Sequence, residues 1–138
     1  RYLTLKFDDQ ESLIYGLRTV DYNKKVYVTE GPIDSLFLPN SIAVAGSDFS
    51  KLKSIVPTEQ AVVVFDNERR NPQLHKLMGQ VIEDGFEICF WPKTIKEKDI
   101  NDMVLNGLSS DIIEDIINKN KFSGLSAKMA LSDWSRSG

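Results

Sequence analysis

Five consecutive apolar residues, Ala61-Val62-Val63-Val64-Phe65, run straight into Asp66-Asn67-Glu68, and this stretch restricts the fold of the chain more than any other. An unbroken apolar run of strand length belongs to a strand buried on both faces, which only a sheet sandwiched between helices provides. The same grammar occurs earlier, in Val26-Tyr27-Val28-Thr29-Glu30-Gly31-Pro32-Ile33-Asp34. There β-branched and aromatic residues make the strand, and Gly31-Pro32 stops it and opens a helix. Glu30 then stands at a strand's carboxyl end and Asp34 in the first turn of the following helix. In an open α/β sheet that edge is where ligands bind. Two carboxylates beside a glycine that admits close backbone approach suit a hard divalent cation. Capping and macrodipole preferences account for the same two acids without any ion.

The rest of the chain repeats the alternation. Residues 1–7 read as a short strand, and Ser12 to Val20 reads as a helix with Leu13, Leu17 and Val20 on one face. Ser41 to Ala45 is a second inner strand, and Ser50 to Val56 a short helix capped by Ser50. A longer helix opened by Pro72 runs to Glu83, with Leu74, Leu77, Met78, Val81 and Ile82 inward. Phe86 to Trp91 is a fourth inner strand. Lys98-Asp99-Ile100-Asn101-Asp102 follows, where Asp99 has the position of an N-cap. Two closing helices are expected, one burying Ile112, Ile113, Ile116 and Ile117 and one packing Met129, Ala130 and Trp134. The order predicts an α/β fold, a small parallel sheet with helices on both faces and right-handed crossovers, plus C-terminal helices.

At 138 residues, 41% hydrophobic and 27% charged, the chain has the size and balance of one ordinary globular domain. No apolar run approaches the roughly 20 residues needed to span a bilayer, so a cytoplasmic location is expected. Cys89 is alone, which excludes an internal disulfide, and its apolar surroundings read as core. The single His75, mid-helix beyond the acidic loop, argues against histidine-based zinc sites and hydrolytic triads. Neither a P-loop nor a GxGxxG is present, which argues against nucleotide hydrolases and dinucleotide oxidoreductases. A net charge of −3 argues against a basic nucleic-acid-coating surface. The absence of an initial Met and of a clear stop reads as a piece of a longer protein.

Three pairs of acids follow three strands: Glu30 with Asp34, Asp66 with Glu68, and Asp99 with Asp102. Parallel strands all point one way, so these six converge on one edge and are the candidate metal ligands. Mg²⁺ or Mn²⁺, completed by substrate phosphates, is the expected cofactor. The expected position is between Asp66 and Glu68, with Glu30 near enough to share a second ion.

Glu30-Gly31 after one strand and Asp66-Asn67-Glu68 after another resemble the signature of the Toprim domain, found in topoisomerases, bacterial-type primases and certain nucleases. Glu68 stands where the family has Asp. Leu13-Ile14-Tyr15-Gly16-Leu17, Ala45-Gly46-Ser47, Trp91-Pro92 and Lys98-Asp99-Ile100-Asn101-Asp102-Met103 are similar to primase segments. With Glu68-Arg69-Arg70-Asn71 they look most like primases of T-even-type bacteriophages. The resemblance implies a Toprim domain over residues 26–107, a lead-in strand and helix over 1–25 that continue a preceding polymerase region, and a helical segment over 108–138.

It further implies a nucleotidyltransferase that makes short RNA primers on single-stranded DNA from ribonucleoside triphosphates, in the host cytoplasm if phage-encoded. Glu30, Asp66 and Glu68 would be catalytic, and Arg69, Arg70 and Lys98 would contact phosphates. A replicative helicase is the implied partner, and zinc is expected only in a preceding module. The fragment by itself is expected to be inactive, because the basic half of such a polymerase core is absent from it. Two other readings stay open: phosphodiester cleavage of the nuclease or topoisomerase kind, and a Toprim module that binds DNA or protein without turnover.

Overall fold

The computed structural model describes residues 4–7, 12–15, 21, 23–44 and 46–136. Among these residues seven strands form one sheet: β1 (Thr4–Phe7), β2 (Ser12–Tyr15), β3 (Val26–Thr29), β4 (Ser41–Val44), β5 (Ala61–Val64), β6 (Glu87–Cys89) and β7 (Lys121–Phe122). Their spatial order is β1-β2-β4-β3-β5-β6-β7. The inner four, β4-β3-β5-β6, are mutually parallel, while β2 joins β4, β1 joins β2 and β7 joins β6 antiparallel. Among the described residues there are five α-helices: α1 (Pro32–Ser35), α2 (Pro72–Glu83), α3 (Ile100–Leu105), α4 (Ser110–Lys119) and α5 (Gly124–Arg136). The result is an α/β, Rossmann-like architecture.

Alternation along the inner strands divides the core in two, because successive side chains point to opposite faces. Val26, Val28, Ala61, Val63 and Ile88 pack with α2, α5 and the 3-10 segment Gly46–Ser54 on one face. Tyr27, Val62, Val64 and Cys89 pack with Leu38, Met103, Ile113 and Ile117 on the other. All of β3, β4 and β5 is buried, which is why the sequence is apolar there apart from Thr29 and Ser41 at two strand ends.

Several elements differ from the sequence expectation. Ser12–Tyr15 is a strand and not the start of a helix; residues 16–20 of the expected helix lie outside the described residues. The hairpin with β1 and the pairing of Ile14 with Val44 and Tyr15 with Ala43 override the helical spacing of the leucines. The 3-10 segment begins at Gly46, so Ser50 lies inside it and is not its cap. Lys121 and Phe122 add an antiparallel edge strand to a region expected to be wholly helical. Ile112 and Met129 are exposed, since the sheet covers only a narrow stripe of α4 and of α5. Among the described residues no helix is long and apolar enough to cross a membrane.

Candidate metal centre at the switch point

From β3 the chain crosses to β4 on one side, and from β5 it crosses to β6 on the other. The carboxyl ends of β3 and β5 therefore flank the topological switch point, where helices leave to opposite faces and a crevice opens. Glu30 follows β3 directly, and Asp66 leaves β5 after Phe65. Both strands are wholly buried and in register, Thr29 opposite Val64, so the two acids have rigid supports.

Asp34, Asp66 and Asp99 each present a carboxylate oxygen, and these oxygens lie within 4.8 Å of one another. Asp34 is buried and the other two are partly buried. Three carboxylate oxygens gathered this closely could hold a divalent cation, with water or phosphate filling its remaining positions. A fixed frame holds them. The Asn101 N–H donates to Asp34 Oδ1 at 3.0 Å, and the Asp102 N–H donates to Asp99 Oδ1 at 2.8 Å. Asp99 is thus the N-cap of α3, as its sequence position implies, and its second oxygen is left for the crevice. Glu30 Oε1 accepts the Asp66 N–H at 3.3 Å, which joins the two strand ends. At Gly31 a Cβ would stand 3.3 Å from Asp34 Oδ2, so this glycine lets the backbone lie against the carboxylate.

The electrostatics fit a site that waits for positive charge. Burial, then repulsion from Glu30, Asp34, Asp99 and Glu68, pushes the Asp66 carboxyl up to about 7. Glu30 is raised by burial first; the Asp66 N–H and the Lys98 charge oppose the shift, while Glu68 and Asp34 add to it. Asp34 is raised by burial, against the Asn101 N–H, with Asp99 and Asp102 adding to the shift. Packing carboxylates this closely opposes their ionisation unless a cation neutralises them.

The remaining sequence candidates lie around this group. Glu68 and Glu30 line a groove of about 650 Å³ along α2, together with Asn71, Gln73, Leu74, Lys76, Leu77 and Gln80. Asp102 acts on Asp34 only through its charge and on Asp99 through its backbone N–H. Lys98 is exposed, near enough to Glu30 to counter its shift. Arg70 is exposed and donates to the Ser135 carbonyl. Arg69 turns the other way: it donates to the carbonyls of Trp91 at 2.8 Å and Trp134 at 3.5 Å, and its guanidinium lies 5.5 Å from the Trp134 ring centroid. Asn67, which the sequence marks only as a turn residue, bonds three carbonyls of the loop before α3.

No family model matches the chain. It is 37% identical over 138 residues to the DNA primase of Enterobacteria phage T4, an alignment that takes in 99% of this chain and 40% of that protein. The chain is primase-related. It spans about two-fifths of the length of the relative. The similarity runs through every element that builds the switch point, so the primase relationship and the acidic crevice concern the same part of the molecule.

Proposed function

We propose that this chain is the Toprim-like catalytic part of a DNA primase, with Mg²⁺ or Mn²⁺ held at the switch point by Asp34, Asp66 and Asp99. The observation that carries the proposal is the meeting of these three carboxylates, from three separate loops, in a primase-related chain. The residues fit the ion by chemistry: all are hard oxygen donors, and their mutual repulsion is relieved by a divalent charge. A bound ion supplies charge neutralisation for the α-phosphate under attack and for the departing pyrophosphate.

The protein's own groups divide the remaining work. Glu30, whose partly buried carboxylate is a stronger base than usual, accepts the proton of the attacking hydroxyl. Glu68 lines the same groove as Glu30 and extends the acidic rim toward the nucleotide. Lys98 and Arg70, both exposed, meet phosphate oxygens, while Arg69 serves mainly to hold the loop through its two carbonyl contacts. Single-stranded DNA and ribonucleoside triphosphates are the substrates on this reading, and a replicative helicase is the partner.

Primer synthesis on single-stranded DNA by the longer protein, with and without Asp66→Asn, tests the reading. A loss of about 10²-fold or more in the variant is expected from removing one electrostatic contact to the reacting phosphate. Unchanged synthesis, or DNA cleavage in its place, would remove the assignment.

A further inference from the structure

The side chain of Asn67 lies between two of the loops that carry acids. Its Nδ2 donates to the carbonyls of Ile95 and Glu97, each at 3.1 Å. Its backbone N–H donates to the Lys98 carbonyl at 2.6 Å. Two carbonyl acceptors on one side-chain atom leave only one orientation for the amide, with nitrogen toward them. Ile95, Glu97 and Lys98 belong to the segment that ends in Asp99, and Asn67 directly follows Asp66. Three bonds from one residue thus fasten the loop after β5 to the loop before α3. Two further bonds join the same loops at their strand-proximal ends, from Arg69 Nη2 to the Trp91 carbonyl at 2.8 Å and from the Trp91 Nε1–H to the Phe65 carbonyl at 2.9 Å; the bonds of Asn67 are the ones nearest in sequence to both Asp66 and Asp99.

We infer that Asn67 is a positioning residue for the metal centre: its amide staples the two loops so that Asp66 and Asp99 meet at ligand spacing. The inference rests on the metal reading above and adds a residue that touches neither ion nor substrate. Asp66 and Asp99 repel each other, so the loops carrying them separate unless something opposes that repulsion. Leaving the staple unmade would strand two or three carbonyls in a partly buried seam, and this keeps it closed. Because staple and ion both favour the same closed arrangement, each must strengthen the other by the same factor.

The experiment is Mn²⁺ binding to the 138-residue chain, followed by paramagnetic resonance, for the wild type, Asn67→Ala and Asn40→Ala. Asn40 is the matched control: its Nδ2 bonds the carbonyls of Asp21, Lys24 and Lys25 at the opposite edge of the sheet. Asn67→Ala should weaken Mn²⁺ affinity about tenfold, the effect of losing about one net hydrogen bond. Asn40→Ala should lower the melting temperature while leaving affinity within twofold. Equal Mn²⁺ affinity for wild type and Asn67→Ala overturns the staple and leaves the metal reading standing; absence of binding by the wild type overturns both. Should Asn67→Ala not fold, hydrogen exchange in the wild type decides. Saturating Mg²⁺ should slow exchange of the Asn67 backbone N–H more than that of the Tyr27 N–H, which bonds the Asn40 carbonyl. Equal slowing at both overturns the inference.

Discussion

Glu30 has two tasks that a single substitution separates. Its Oε1 accepts the Asp66 N–H, and its charge takes part in the acidic group. Glutamine keeps the accepting oxygen and the shape but not the charge. Glu30→Gln is therefore expected to leave the melting temperature unchanged or slightly higher, within about 0.5 kcal/mol of stability. Primer synthesis by the longer protein should be abolished. A large fall in melting temperature, measured by circular dichroism, would make Glu30 a structural residue instead. The places of Glu30, Asp66 and Asp99 were legible because each follows a strand or caps a helix, features read from neighbours in sequence. The work of Asn67 was not legible. Its acceptors are backbone carbonyls 28 and 30 residues away, and any residue type has a carbonyl, so no pattern announces the partner.

At the scale of elements, the end of α5 is fastened beside the acidic loop by aromatic and cationic contacts. Trp134 is 4% exposed and packs against Phe90, with His75 edge-on to it and the Arg69 guanidinium over its ring. Arg69 and Arg70 also donate to the Trp134 and Ser135 carbonyls, the end of the helix where unpaired acceptors and the negative pole of the dipole lie. Trp134→Ala should cost about 3–5 kcal/mol, read as a lower urea midpoint. Arg69→Lys should not restore what Arg69→Ala loses, because an ammonium cannot reach the Trp91 and Trp134 carbonyls together while stacking on the ring. A wild-type midpoint for Arg69→Lys would show that charge alone suffices. The helices α2, α3 and α4 were legible from spacing and caps. By contrast, Ser12–Tyr15 took its form from β1 and β4, since a four-residue segment rich in Leu, Ile and Tyr suits either state until a sheet edge claims it. The four isoleucines of α4 likewise name a helix but not which of them the sheet covers; Ile113 and Ile117 are fully buried and Ile112 is half exposed.

Over the whole molecule, the fold gathers acids at one sheet edge although the net charge is only −3. That arrangement costs stability without an ion, and the cost depends on pH. A carboxyl that titrates higher in the folded than in the unfolded chain binds its proton more tightly when folded. Its contribution to stability is therefore complete below the ordinary carboxylate range and is lost as pH rises through the folded value. For Asp66 that window runs from its ordinary 3.8 to about 7, and Glu30 and Asp34 are shifted in the same direction. Glu97 is shifted the opposite way, chiefly by its bond from Asn106, and lies outside the group of raised carboxyls. The metal-free chain should consequently melt several degrees lower at pH 8 than at pH 5. Mg²⁺ competes with protons for the same oxygens and stabilises only the folded state, so millimolar Mg²⁺ should raise the melting temperature at pH 8 and hardly at all at pH 5. Asp66→Asn removes the group with the widest window. The variant should lose most of the decline between pH 5 and pH 8 together with most of the Mg²⁺ increment. Scanning calorimetry of both proteins, at both pH values, with and without Mg²⁺, checks all of this at once. A metal-free melting temperature that holds steady or climbs from pH 5 to pH 8 would mean that Asp66 is not the shifted carboxyl, and an Mg²⁺ increment equal at both pH values would place the ion away from it.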